Sequence, residues 1–319
     1  MRLPLCSVVL GVCLLVGCGA TLPEEDFSPD QASQSLTTPN GSNLNGSNLN
    51  GSNLNGNDLS QFMVSVNYLP AKHSGAQLDQ VWLEGTTFKG VKASRFFSGA
   101  DFQSAEFQGN LGSGGTVRLR VNAISAAPAP NQDLSLYDVS FLDSTGVWQP
   151  ACRDSSGAPA LAMPLHGTWD YRSGVPGGGA KTEDPARFTF ACMGGAIAKC
   201  VLWGYRPWST YNNVSLSAYH QACTRLVRAD YCGDGTSYTQ NGNRINLYDP
   251  LGIQQDTEDW AFEAEWDTGG ARCIYPLNRS HAGIPCFDAR SDYFCGQNMS
   301  QNQGALLRNE TPSLLGGPL

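Results

Sequence analysis

The sequence predicts a mainly β protein with one clear α-helix: a disulfide-rich extracytoplasmic body, all-β or α+β, behind a flexible N-terminal tether. Three observations predict it. Apolar side chains alternate with polar ones over several short stretches, as in half-buried strands. Glycine is abundant, 36 residues of 319, and only 15% of residues are charged, a composition that suits turn-rich β structure better than helical bundles. Eight cysteines form an even set downstream of an export signal, which reads as a disulfide framework.

The N-terminus carries the export reading. Met1 to Pro4 supply one positive charge, and residues 5–16 are apolar and uncharged. That run is too short for a permanent bilayer span and has the length of a signal-peptide core. It ends at Leu15-Val16-Gly17-Cys18, a lipobox. Gly17 leaves room for the signal peptidase, and the Cys18 thiol accepts the lipid, so residues 1–17 are expected to leave and Cys18 to become the acylated N-terminus. An ordinary secretory signal with a chance cysteine is the competing reading. Gly19 in place of Asp favours the outer membrane of a Gram-negative envelope, on its periplasmic or its outer side. Several acyl chains hold a protein where one holds it only marginally.

Residues 18–61 read as the tether. The pentad Ser42-Asn-Leu-Asn-Gly46 repeats at Ser47 and Ser52 and decays at Asn57-Asp-Leu-Ser-Gln61. The phase resembles pentapeptide-repeat coils, but four pentads make one turn and solenoids need stacked units. A flexible coil of this length reaches roughly 35 Å. An echo of the pentad occurs at Ala100-Asp-Phe-Gln-Ser104 and Ala105-Glu-Phe-Gln-Gly109, consistent with one corner of a coil or with alternating strand residues.

Residues 77–150 predict a small β-domain. Val117, Leu119 and Val121 point one way while Arg118 and Arg120 point the other. Leu134, Leu136, Val139 and Phe141 alternate with a phase slip at Asp138, and the Ala-Pro-rich residues 126–130 join the two strands. A cysteine-rich domain follows over 151–296, with a glycine-rich loop at 174–179, a strand at Arg187-Phe-Thr-Phe-Ala-Cys192 and an ambiguous apolar stretch at 194–204. Residues 215–229 form the predicted helix. Leu216, Tyr219, Ala222, Cys223, Leu226 and Val227 share one face, Asn213 or Ser215 can cap the start, and Gly233 can end it. Trp260-Ala-Phe-Glu-Ala-Glu-Trp266 alternates as a strand would, and residues 297–319 read as a flexible, frayed tail.

The cysteines expected in disulfides are Cys152, Cys192, Cys200, Cys223, Cys232, Cys273, Cys286 and Cys295. Their spacing does not choose the pairing and fits zinc poorly. A formal charge of −8 and a pI of about 4.9 disfavour nucleic acid as a partner.

The segment His220-Gln-Ala-Cys-Thr-Arg-Leu-Val-Arg-Ala-Asp-Tyr-Cys-Gly-Asp-Gly235 resembles the signature of the ADYC domain family, named for Ala229-Asp230-Tyr231-Cys232. Ala196-Ile-Ala-Lys-Cys200, Gly204-Tyr-Arg-Pro-Trp208, Asn246-Leu-Tyr-Asp249 and Gly270-Ala-Arg-Cys273 fit the same pattern in order. The resemblance spans roughly residues 40–300, with Asn-Gly-Leu repeats before the body. It implies a largely myxobacterial family of secreted lipoproteins without an assigned activity. It singles out Lys199, His220, Arg225, Ala229, Asp230, Tyr231 and Cys232 and adds no chemistry.

Candidate chemistry is sparse. His220, on the border of the predicted helix face, is either a general base or a packed histidine. It could act with Asp230 or Asp234 in a surface hydrolase, whereas Cys223 as a nucleophile would need a free thiolate. Asp230 and Asp234 could also hold Ca2+; alternatively Asp230 caps the helix or pairs with Arg225 or Arg228 while Gly233-Asp234-Gly235 makes a tight turn. Glu263 and Glu265 lie roughly 7 Å apart on a strand, either a glycosidase-like pair or a solvated face. No nucleophile elbow, phosphate loop or zinc helix occurs, and no cofactor is expected. The leading expectation is a non-enzymatic, lipid-anchored module that binds an envelope polysaccharide or protein. The rivals are the hydrolase and a Ca2+-stabilised structural module.

Overall fold

The computed structural model describes residues 25–26, 38–39, 63–154, 156–240, 242–280, 282–288, 294–295 and 304–312. The signal segment, Cys18, the pentad repeats at 42–61 and residues 297–303 and 313–319 of the expected tail lie outside the described residues.

Alternating apolar residues build a barrel first. β1 (Met63–His73) leads into an inserted three-stranded sheet of β2 (Gln80–Glu84), β3 (Thr87–Lys92) and β4 (Arg95–Ser98). The chain then returns through β5 (Glu106–Leu111), β6 (Thr116–Ala126), β7 (Ser135–Leu142), with β8 (Trp148–Pro150) on its flank, β9 (Ala162–His166) and β10 (Arg187–Cys192). Each of β1, β5, β6, β7, β9 and β10 pairs antiparallel with the next, and β10 pairs back to β1. The ring closes as a six-stranded up-and-down barrel, which removes exposed strand edges. The sheet runs across position 150.

A barrel of this size is filled by side chains. Phe107, Leu119, Val121, Tyr137, Phe188 and Phe190 are buried inside it. Phe88 from the inserted sheet enters as a plug, its ring 4.9 Å from Phe107 and 5.1 Å from Phe188. The pentad echo divides into a 3-10 turn at Gly99–Phe102 and strand β5, and stacks Phe102 on Phe107. Met163, Leu165 and Ala191 point outward from β9 and β10 into a second core.

That second core holds the helices. α1 (Ala196–Leu202) forms in the stretch whose class the sequence leaves open. α2 (Ser217–Arg228) is the predicted helix, and the Ser215 hydroxyl accepts from the Ser217 N–H at its start. α2 packs on an antiparallel sheet of order β11 (Arg244–Tyr248), β14 (Leu307–Thr311), β12 (Ala261–Asp267), β13 (Gly270–Ile274), with Thr38–Pro39 paired to its edge. β14 differs from the expectation of a frayed tail. It lies between β11 and β12, with Leu307, Asn309 and Thr311 buried. Its charges are satisfied in place, Arg308 by Glu265 at 2.9 Å and Glu310 by Asn246 at 3.1 Å. The disulfides are Cys152–Cys192, Cys200–Cys223, Cys232–Cys286 and Cys273–Cys295.

Candidate functional site: the signature and the exposed faces

The signature begins where α2 stops. Ala229 adopts the left-handed conformation, φ 51° and ψ 41°. Its N–H bonds to the Leu226 carbonyl and the Asp230 N–H to that of Arg225, both at 2.9 Å. This is a Schellman closure, so Ala229, rather than Gly233, ends the helix. The Arg279 guanidinium donates to the Leu226 carbonyl as well.

Asp230 is fully buried under that helix end. A carboxylate beside a helix C-terminus meets the negative end of the dipole, and two guanidiniums offset it. Arg225 Nη1 donates to Oδ2 at 2.5 Å, and Arg228 Nη1 lies 3.6 Å away. The same carboxylate accepts the N–H groups of Asp234 at 3.2 Å and Gly235 at 3.1 Å. Burial pushes its pKa up, and the two arginines pull against that. Asp234 turns its own carboxylate to the Thr236 N–H, 2.9 Å away. The two aspartates thus serve different partners, and the pocket around Asp230 is cationic. Among the described residues no group of three or more His, Cys, Asp or Glu is placed to hold a metal.

The glycine-rich loop closes over this pair. Arg225 donates to the Gly178 carbonyl. A Cβ on Gly179 would stand 2.5 Å from Arg225 Nη1, and one on Gly178 would stand 2.1 Å from the Asp234 carbonyl oxygen. Only glycine permits that approach.

His220 is fully buried. Its Nε2 pairs with the Ile197 carbonyl at 3.0 Å, and its ring meets Trp169 edge-on at 5.9 Å. Burial drives its pKa down to about 3, so the ring is neutral at physiological pH with Nε2–H donating to the carbonyl. Lys199, half-buried on α1, has its ammonium pKa lowered by the same desolvation. Cys223 is tied to Cys200.

Tyr231 stacks on Trp266 at 5.2 Å, and its hydroxyl donates to Glu263 at 2.7 Å. Glu263 and Glu265 are both fully buried, the first paired with Arg279 at 2.8 Å and the second with Arg308. The sequence places them together on one strand face. In the structure β12 is covered on both sides, and its register slips between Phe262 and Ala264 and again between Glu265 and Trp266.

The remaining signature pieces pair with one another. The Ala271 N–H bonds to the Tyr231 carbonyl, and Gly270 lies against Gly233. Tyr205 bonds to Asp249 at 2.8 Å. Arg206 pairs with Asp133. Chemistry directed at solvent lies elsewhere. Tyr68 and His166 Nδ1 are 3.0 Å apart, with Glu183 3.7 Å from Nε2. This cluster draws on three distant segments, so no local motif announces it. On the outer barrel face Trp148 carries Arg120 at 4.3 Å. On the inserted sheet Trp82 and Phe96 meet at 5.9 Å.

Four disulfides among the described residues, over a barrel, a helix pair and a second sheet, define a disulfide-stabilised extracytoplasmic protein. Among the described residues no helix is long and apolar enough to cross a membrane. The model of the ADYC domain matches residues 99–280, more than half of the chain, and the protein belongs to the ADYC domain family. No curated protein and no solved structure matches it.

Proposed function

We propose that this protein is a lipid-anchored module of the cell envelope, held through Cys18 at the outer membrane of a Gram-negative, myxobacterium-like cell, and that it binds an envelope component without catalysis. One observation carries the reading: the polar groups of the family signature are turned inward and used by the fold. Asp230, Arg225 and His220 are buried against partners within the chain, and the Tyr231 hydroxyl is taken up by Glu263, itself buried and paired with Arg279, while aromatic side chains stay on the surface. A general base needs access to its substrate, and His220 has none in this packing.

Two assays test the reading. Cys18→Ser should abolish incorporation of labelled palmitate and release the protein from membranes. The purified protein should co-sediment with envelope fractions, and alanine variants of exposed aromatics should reduce that retention. Full retention across the whole variant set would sink the binding role.

A further inference from the structure

The inserted sheet has two faces of different character. Its inner face carries Val81, Phe88 and Phe97, which are buried in the barrel core. Its outer face follows from the register. Trp82 faces Lys89, which faces Ser98, and Gln80 faces Val91, which faces Phe96. Phe96 is 55% exposed, the Trp82 ring meets it at 5.9 Å with the planes 60° apart, and Val91 sits directly opposite Phe96. Polar groups surround the two rings: Lys89 pairs with Glu84 at 3.2 Å, and the Trp82 indole N–H faces the Glu84 carboxylate at 3.5 Å. The sheet lies before the first residue of the family match, and its polar groups have no part in the signature.

We propose that this outer face, centred on Trp82 and Phe96, binds a neutral polysaccharide. The proposal rests on the binding role above and names its partner. Three features select that chemistry. An aromatic face is electron-rich and attracts the slightly positive C–H edges of an apolar surface; a pyranose ring offers such a face, with hydroxyls around it for Gln80, Glu84 and Lys89 to hydrogen-bond. The charges of the patch cancel, because Lys89 and Glu84 neutralise each other; with a chain of net −8, an acidic polymer would be repelled. The apolar part consists of Trp82, Val91 and Phe96 alone. A stable protein interface is built round a broad apolar centre, whereas a linear glycan needs only a narrow strip of rings.

The test is affinity gel electrophoresis of the intact protein in gels cast with cellulose derivatives, xylan, β-1,3-glucan, amylose or galactomannan, alongside co-sedimentation with envelope fractions. Retardation by at least one of these polymers is expected. Phe96→Ala and Trp82→Ala should each weaken it roughly tenfold or more, with the melting temperature of Phe96→Ala unchanged and with Phe96→Tyr retaining binding. Trp148→Ala, on another face, should leave it unaltered. Retardation by none of the polymers while envelope fractions still retain the protein would overturn the glycan proposal and leave the binding role standing. Loss of envelope retention in Phe96→Ala under that condition would assign the face to a protein partner. Retention by neither would overturn both readings. Retardation insensitive to Trp82→Ala and Phe96→Ala would move the glycan to another surface and contradict the proposal.

Discussion

The Tyr205 hydroxyl donates to Oδ2 of Asp249 across 2.8 Å and ties together two parts of the signature that stand 44 residues apart in the chain. The same carboxylate accepts the N–H groups of Leu251 and Gln254, so one buried acid shapes a loop and anchors it to the helix layer. Tyr205→Phe removes one donor from that acid and is expected to cost about 1–3 kcal/mol. Urea unfolding should show a lower midpoint at unchanged slope. A wild-type midpoint would mean that the bond contributes nothing.

Asp230 answers two buried guanidiniums. Asp230→Asn keeps the shape and removes the counter-charge, a change worth about 3–5 kcal/mol of stability. Arg225→Met should cost a similar amount. The double variant should cost clearly less than the two losses added, because they share one interaction. Strict additivity in the unfolding free energies would refute the pairing.

Ala229 sits at φ 51°, where a side chain costs roughly 1–2 kcal/mol. Ala229→Gly relieves that cost and forfeits a buried methyl of comparable worth, so its stability should stay within about 1 kcal/mol of wild type. Ala229→Val adds a β-branch at a conformation that disfavours it and should lose more than about 2 kcal/mol. Equal stability of the two variants in thermal melts would count against the left-handed cap.

His220 gives a pH dependence with a definite sign. Its pKa falls from 6.5 in the unfolded chain to about 3 in the fold. Between those values the unfolded state binds the extra proton, so this histidine's contribution to stability is complete above about pH 6.5 and is lost progressively as pH falls toward 3. The slope approaches about 1.4 kcal/mol per pH unit. His220→Gln keeps a donor for the Ile197 carbonyl and removes the titration. Wild type should therefore lose stability relative to His220→Gln, by up to about 1.4 kcal/mol per pH unit, as pH drops from 6 to 4. Parallel curves would place the histidine in contact with water.

Local pattern made much of the barrel legible. The alternation of Val117, Leu119 and Val121 is the buried face of β6, and the phase slip at Asp138 is the irregularity where β7 and β6 change register between Asp138 and Val139. The closing strand was less visible. Met63–His73 precedes the residues whose pattern first looks folded, yet it pairs with both β5 and β10. Leu307–Thr311 reads as polar tail because Arg308, Asn309 and Glu310 spend their polarity on Glu265, Trp266 and Asn246, partners more than forty residues away. Glu263 and Glu265 read as a pair on one open face for the same reason: alternation reports two faces and does not say that both are covered. At the signature, the helix and its arginines were readable, whereas the left-handed Ala229 and the glycine loop over Arg225 depend on contacts that no local pattern encodes.

The strand at Leu307–Thr311 yields a further expectation. A chain ending at residue 303 keeps all of residues 99–280, the span matched by the family model, but loses the strand between β11 and β12. Its side chains Leu307 and Asn309 are fully buried, Leu307 within the second core, so the truncated chain should melt at a clearly lower temperature and over a broader range than the full-length chain. A sharp transition near the full-length temperature would show that the second sheet closes without it.

The central claim is that the signature builds the fold while binding belongs to the surface. Retention of His220→Gln on envelope fractions at pH 7 tests it most directly, because the substitution reaches the heart of the signature and leaves every exposed side chain in place. Retention equal to wild type is the predicted result. Loss of retention by a variant whose melting transition is intact would contradict the claim and make His220 part of the functional site.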